Sequence, residues 1–279
     1  MATPRNDYHH LRDAPIAELR AAIRSGAYTG QTAGLAPGLL QANLAILPRD
    51  HAVDFLHFCQ LNPKPCPLVG MSEPGDPSLP SLGAHLDLRT DVPAYHVYRD
   101  GALAGTASDL RELWRDDLVA FALGCSFTFE RALIEDGIAL DHIARNRVVP
   151  MYRTNIETRP AGPFGGSTVV SMRPIAASDV ACATEISERY PHAHGGPLHV
   201  GAPGEIGIDT LDQPDWGDPT PVPAGAEPVF WACGVTPQAA VLRARLPFCI
   251  THKPGHMLVT DVDERADIPV FQSHQAETT

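Results

Sequence analysis

The sequence predicts an α/β protein in which a mostly parallel or mixed sheet is flanked by helices. Segments of strand and helix character alternate along the 279 residues, the pattern of layered α/β folds. Hydrophobic residues make up 44% of the chain, which supports a full core without disulfides or a structural metal. The 27 prolines are about twice the ordinary frequency and mark a chain rich in rigid loops.

Taken in order, Asp13-Ala14-Pro15 opens an amphipathic helix through Ile16, Leu19, Ala22 and Ile23 that stops at Gly26. A loop over 34–38 leads into the apolar run Leu44-Ala45-Ile46-Leu47, and 50–61 is a helix burying Val53, Phe55, Leu56 and Phe58. Pro63, Pro65 and Pro67 enforce an extended path, since proline restricts itself and the residue before it. Residues 92–98 read as a strand turned by Arg99-Asp100-Gly101. Ser108 or Asp109 caps a helix through Leu110, Leu113, Trp114, Leu118 and Phe121, and beyond Gly124 a second helical run covers 127–136. Strands are expected at 148–154 and 168–172 around a glycine loop, a helix at 177–190, and short strands at 198–200 and 206–208. A proline-rich loop over 214–228 is a candidate domain crossing, and 238–246, 248–252 and 257–262 read as helix, strand and strand. The polar tail 272–279 is expected to fray.

A formal net charge of −12 argues against a nucleic-acid surface, which needs concentrated Lys and Arg. No run approaches the 18 or so apolar residues of a membrane span, and Met1-Ala2-Thr3-Pro4-Arg5-Asn6-Asp7 lacks an apolar signal core. A soluble, cytoplasmic protein is expected, with no membrane partner. The six cysteines are irregularly spaced, so reduced thiols are expected.

The richest stretch is Val229-Phe230-Trp231-Ala232-Cys233-Gly234-Val235-Thr236-Pro237-Gln238. It reads as a buried strand that turns at glycine and restarts as a helix, with Thr236 capping and Pro237 in the first turn. Cys233 then lies at a strand's carboxyl end, facing the unpaired N–H groups of a helix start. Such a position binds anions and acidifies thiols. It points to an enzyme for a carboxylate-bearing small molecule.

With these segments in view, the chain resembles the bacterial hydro-lyase family whose characterised relative is D-glutamate cyclase. The resemblance runs through residues 58–68 (FCQLNPKPCPL), 87–93 (DLRTDVP), 124–130 (GCSFTFE), 151–156 (MYRTNI), 161–166 (AGPFGG), 215–218 (DWGD), 229–238 (VFWACGVTPQ) and 251–257 (THKPGHM). It implies an α/β fold with a smaller α+β unit nested in it, here drawn as 111–218 inside a main domain of 1–110 plus 219–279. It also implies conversion of D-glutamate to 5-oxo-D-proline and water by a homo-oligomeric enzyme of amino-acid metabolism.

Such a cyclisation needs a cation for the α-carboxylate, a base for the ammonium, donors for the tetrahedral oxyanion and an acid for the departing oxygen. Arg153 is the candidate cation, because its fork binds carboxylates bidentately; Thr154 and Asn155 complete a polar shelf at the end of its strand. The alternative is that Arg153 pairs with a structural carboxylate, and Arg173 is the second choice. Gly165 and Gly166 offer an unobstructed backbone nest. Cys125 precedes a helix, and Glu130, one turn on, is a candidate base; a structural kink around a buried Cys125 is the alternative. His252 and His256 flank a Pro-Gly turn and are candidates for proton transfer and substrate binding. Cys233, Thr236 and Gln238 form the last wall, with Cys233 alternatively a small packing residue. No cofactor is required by the sequence; a divalent metal held by His252, His256, His199 and carboxylates such as Asp209 or Asp261 is an open alternative. Two further readings are a cysteine-dependent amidohydrolase or lactam-opening enzyme and a non-catalytic metabolite-binding protein.

Overall fold

The computed structural model describes residues 8–145 and 147–266. Its elements run α1 (Tyr8–Leu11), α2 (Ile16–Arg24), β1 (Leu39–Pro48), α3 (Ala52–Leu61), β2 (Leu68–Met71), β3 (Tyr95–Arg99), β4 (Ala102–Ala107) and β5 (Leu118–Gly124). They continue α4 (Phe127–Glu135), α5 (Asp141–Ala144), β6 (Met151–Glu157), β7 (Ser167–Ala176), α6 (Val180–Glu188), β8 (His199–Val200), β9 (Ala226–Ala232), α7 (Val235–Arg243), β10 (Cys249–His252) and β11 (Leu258–Asp263). Among the described residues no helix is long and apolar enough to cross a membrane. The tail expected to fray lies outside them.

Seven strands form one sheet in the order β2-β5-β1-β10-β3-β4, with β11 also pairing to β1. A second sheet has the order β6-β7-β9-β8. The mixture of helices and sheets agrees with the expected α/β class, but its parallel character does not: every strand pair is antiparallel. The reason is that the larger sheet is covered on both faces. Leu40, Ala42, Leu44 and Ile46 of β1 enter one apolar cluster, while Ala45 and Leu47 enter another with Phe55, Phe58 and Phe121. Two-sided burial writes unbroken apolar runs into antiparallel strands, a pattern otherwise typical of parallel ones.

The same effect corrects the helix expected through Leu118 and Phe121. All seven residues of β5 are buried. Leu118, Ala120 and Ala122 face the first cluster, whereas Val119, Phe121 and Leu123 face the second. That is the period of a strand hidden in a run too apolar to show it. The strand expected over 206–208 is replaced by a 3-10 turn, Pro203–Ile206. The exposed strand β4, ALAGTA, holds Thr106 as its one β-branched residue and no aromatic, so strand propensity does not mark it in the sequence.

Residues 151–232 supply all four strands of the second sheet, nested between strands of the first. Two helices then cross over. The chain leaves the larger sheet at the end of β5, yet Phe129 and Leu133 of α4 pack with Ile175, Val229 and Trp231 of the smaller sheet. It leaves the smaller sheet at the end of β9, yet Ala240 and Val241 of α7 pack with Ala45, Leu47 and Phe121 of the larger one. The two strand-to-helix turns meet at this crossing.

Candidate active site at the paired strand ends

The two turns follow one local plan. Cys125 and Cys233 each follow a strand, and each carbonyl accepts from the N–H three residues on: Thr128 to Cys125 at 3.1 Å and Thr236 to Cys233 at 2.9 Å. Phe127 N–H and Val235 N–H bond back to the two thiols. Each threonine hydroxyl then ties its helix to the neighbouring strand. Thr128 Oγ1 accepts from Gln41 N–H at 3.4 Å, and Thr236 Oγ1 accepts from Val169 N–H at 2.9 Å. The pattern Cys-x-x-Thr-x-Glu/Gln thus occurs twice, at 125–130 and 233–238.

Glycine is demanded in both turns by close approach. A Cβ on Gly124 would stand 1.5 Å from the carbonyl oxygen of His192, and one on Gly234 would stand 2.2 Å from Asn43 Nδ2. Between the turns lies a narrow cleft of about 30 Å³, open to solvent at its mouth, whose polar groups come from Asn43, Cys125, Ser126, Cys233 and His252. Among the described residues no Lys, Arg, Asp or Glu lines it. The N–H groups of Phe127, Thr128, Val235 and Thr236 turn back onto the two cysteines, so the helix starts act on the pocket through their dipoles.

Each polar group is held from behind. Asn43 donates to the carbonyls of Leu123 at 3.2 Å and Gly124 at 2.8 Å. His252 Nδ1 lies 3.0 Å from the Leu44 amide nitrogen and 3.4 Å from the Leu44 carbonyl oxygen. The Gln238 amide lies 3.0 Å and 3.1 Å from the two ring nitrogens. Burial pushes His252 down to about 3, against the opposing contact of its ring with the Leu44 carbonyl, so the imidazole is neutral at physiological pH. Ser126 Oγ accepts from Arg173 Nη2 at 3.0 Å. Arg173 itself is fully buried, bonded to Glu130 and Ser171 and 5.4 Å from the ring centres of both Phe129 and Trp231.

The sequence-derived candidates divide accordingly. Cys125, Cys233 and His252 share the pocket, and Thr236 and Gln238 brace it. The acidic thiol expected at Cys233 is corrected: burial pushes it up to about 11 despite the Val235 N–H, and Cys125 up to about 12. Glu130 stands behind the pocket, bonded to Arg173 and to His142 at 3.0 Å. Burial alone would raise its carboxyl, but His142 and Arg173 outweigh that and hold it well below the ordinary range. A carboxylate so engaged is not a free base.

Arg153 lies away from the pocket. Its exposed side chain pairs with Asp215 at 3.2 Å and stacks on Trp216 at 4.7 Å, the structural pairing weighed against a ligand role. Thr154 is buried and donates to the Thr168 carbonyl at 2.8 Å, while Asn155 is exposed. Gly165 packs on Pro160 and Gly166 near Arg243, not on the strand ends. His256 Nδ1 sits 3.0 Å from the Pro254 carbonyl, beside the wall formed by Pro254, Gly255 and Met257. The alternative metal set is dispersed: His199 bonds the Ala202 carbonyl and Asp261 pairs with Arg20. Among the described residues no group of three or more His, Cys, Asp or Glu is placed to hold a metal.

The sequence model described as D-glutamate cyclase matches residues 119–261, from β5 to β11, and so spans both cysteine turns and His252. A protein of Dinoroseobacter shibae named "Putative hydro-lyase" is 59% identical over 98% of this chain and 91% of its own. A similarly named protein of Ruegeria pomeroyi is 59% identical over 96% and 98%, and one of Bordetella pertussis is 60% identical over 88% of each chain. The chain belongs to the D-glutamate cyclase family of bacterial hydro-lyases. Among solved structures, a nitrogen repressor-like protein of Methanococcus jannaschii aligns with a TM-score of 0.38 and 8% identity over 87% of this chain and 96% of that one, a likeness too slight to bear on either fold or function.

Three residues of this D-glutamate cyclase family member were not legible as parts of one pocket. Asn43 sits in β1, outside the matched segment, in a run that reads as plain core. Ser126 is overshadowed by its neighbour Cys125. Arg173, the second-choice cation, acts at one remove, through the Ser126 hydroxyl. The signal that could have found the pocket is the duplicated Cys-x-x-Thr-x-Glu/Gln pattern, which places two helix starts at equivalent points.

Proposed function

We propose that the protein is a hydro-lyase that closes an amino dicarboxylate, D-glutamate, to 5-oxo-D-proline with release of water. The observation that carries this reading is the convergence of two helix starts, Asn43, Ser126 and His252 on one pocket without formal charge. A diacid has two carboxylates, and the pocket has two helix starts to receive them. Ser126 adds a third donor: accepting from Arg173 leaves its hydroxyl hydrogen free for the ligand and polarises it.

The reaction balances without an external acid or base. The substrate ammonium carries three protons, of which one stays on the lactam nitrogen and two depart with the leaving oxygen as water. A pocket lined by apolar groups disfavours separated charges. It therefore shifts a bound zwitterion towards the free amine and the protonated carboxyl, which is the pair that reacts. The amine nitrogen then attacks the γ-carboxyl carbon. In this reading the neutral His252 ring donates to the oxyanion, displacing its contact with the Gln238 amide, and the Asn43 carboxamide orients the amine. Neutral imidazole is the suitable form for this role, since it donates without a prior proton loss.

The test is incubation of the protein with D-glutamate and, separately, L-glutamate, with the product resolved by chiral chromatography. Formation of 5-oxo-D-proline from D-glutamate, with about 10²- to 10³-fold loss of kcat in His252→Ala, is expected for removal of one oxyanion donor. Absence of lactam from either enantiomer overturns the reading.

A further inference from the structure

The duplicated turn places a thiol at the same point of each half. Cys125 ends β5 of the larger sheet and Cys233 ends β9 of the smaller one, and both reach the same pocket. Each sulfur accepts from the N–H two residues on, and neither is used by the cyclisation described above. Asn43, only 4% exposed, lines the same pocket and spends its Nδ2 on two carbonyls.

We propose that Cys125 and Cys233 act as a pair of proton carriers on opposite faces of the α-carbon of the bound amino acid, giving the protein a second activity: α-proton exchange with inversion. This inference rests on the reading that the pocket holds an amino acid. Burial alone keeps both thiols protonated. With the amino acid bound, one passes its proton to the free α-amine, and thiolate and ammonium stand as a contact pair instead of as separated charges. Its sulfur lone pair takes the α-proton, and the C–H electron pair is held by the adjacent carboxylate as an enediolate facing a helix start. The second thiol delivers its proton to the opposite face. The α-carbon again carries one hydrogen, the two cysteines have exchanged thiol and thiolate, and nothing is oxidised or reduced. A two-residue system of this kind is what two equivalent turns supply and a single cysteine turn does not.

The experiment is incubation of D-glutamate, L-glutamate and both enantiomers of 5-oxoproline with the protein in D2O. Deuterium at the α-carbon is read by mass spectrometry and configuration by chiral chromatography. The wild-type protein is expected to introduce α-deuterium and interconvert enantiomers. Cys125→Ser and Cys233→Ser each lose inversion by about 10²- to 10⁴-fold, the range for loss of a general acid or base. Each variant retains deuterium wash-in from one enantiomer only, and the favoured enantiomer differs between them. Formation of 5-oxoproline by the wild type without any α-deuterium overturns the proposal and leaves the cyclase reading standing. Neither lactam nor deuterium from any of the four compounds overturns both. Inversion that persists in both variants also overturns it, and the wild-type measurement stands should a variant fail to fold.

Discussion

Arg173 shows how a buried charge is made useful. Fully sequestered from solvent, it is matched by Glu130 and shared with the hydroxyls of Ser126 and Ser171. Removing one partner of such a pair leaves the other uncompensated, at a cost of about 3–5 kcal/mol. Arg173→Met is expected to lower the unfolding free energy measured by urea titration by that amount, and Glu130→Gln, which keeps the shape, by less; unfolding free energies equal to the wild type's would contradict the arrangement. Burial also sets the response to acid. His252 is held down to about 3 and His194 to about 4, so both stay neutral where an unfolded histidine, with a value near 6.5, takes a proton. Below about pH 6.5 the unfolded chain therefore binds more protons and stability falls as pH falls. Glu130 adds to this, because its stabilisation is present above the unfolded carboxylate value and is lost as pH falls through its lowered one. Melting temperature recorded from pH 8 to pH 4 is expected to drop steadily below about 6.5, most steeply towards the acid end. Turnover should show no inflection near that value from His252; an acid limb there that disappears in His252→Asn would contradict its neutrality.

At the scale of elements, the glycines of the two turns have different consequences. Gly124→Ala drives a Cβ into a backbone carbonyl at 1.5 Å, so the loop carrying His192 must move and stability should fall by several kcal/mol, as for overpacking in a rigid core. Gly234→Ala meets the side chain of Asn43 at 2.2 Å, which can turn away. It is expected to keep most of its stability while losing turnover through displacement of Asn43. Thermal melts paired with turnover separate the two cases, and matched losses in both variants would contradict the geometry. The sequence made α2, α3, α4 and β9 readable, because each carries a cap, a turn residue or a clear period. It hid β5, whose residues are buried on both faces, and the antiparallel pairing of the sheets, for the same reason. Of the site, Cys233, Thr236 and Gln238 were accessible from the strand-turn-helix pattern, Cys125 from the glycine break between two helical runs, and His252 from the Pro-Gly turn that it shares with His256. Arg153 looked like a ligand group because it follows an apolar run, yet Asp215 and Trp216, some sixty positions later in the chain, engage it at the surface. Contacts of that range leave no local trace.

For the whole molecule, the decisive feature is the exchange of helices between the sheets. Each of α4 and α7 starts at the edge of one sheet and packs on the other, so the two helix starts face the same space and the pocket exists only when both sheets are in place. The family match from 119 to 261 covers the helices that cross, while Asn43 enters from β1 and completes the wall. The central claim is that this pocket, and not the Arg153 surface or the loop containing Gly165 and Gly166, receives the substrate. The most direct measurement is the electron density of a crystal soaked with 5-oxo-D-proline. The lactam is expected between Cys125 and Cys233, its carboxylate within hydrogen-bond distance of Ser126 Oγ and a helix-start N–H, and its ring carbonyl near His252 Nε2. Density for the lactam against Arg153 and Trp216, with the space between the two cysteine turns unoccupied, would contradict it.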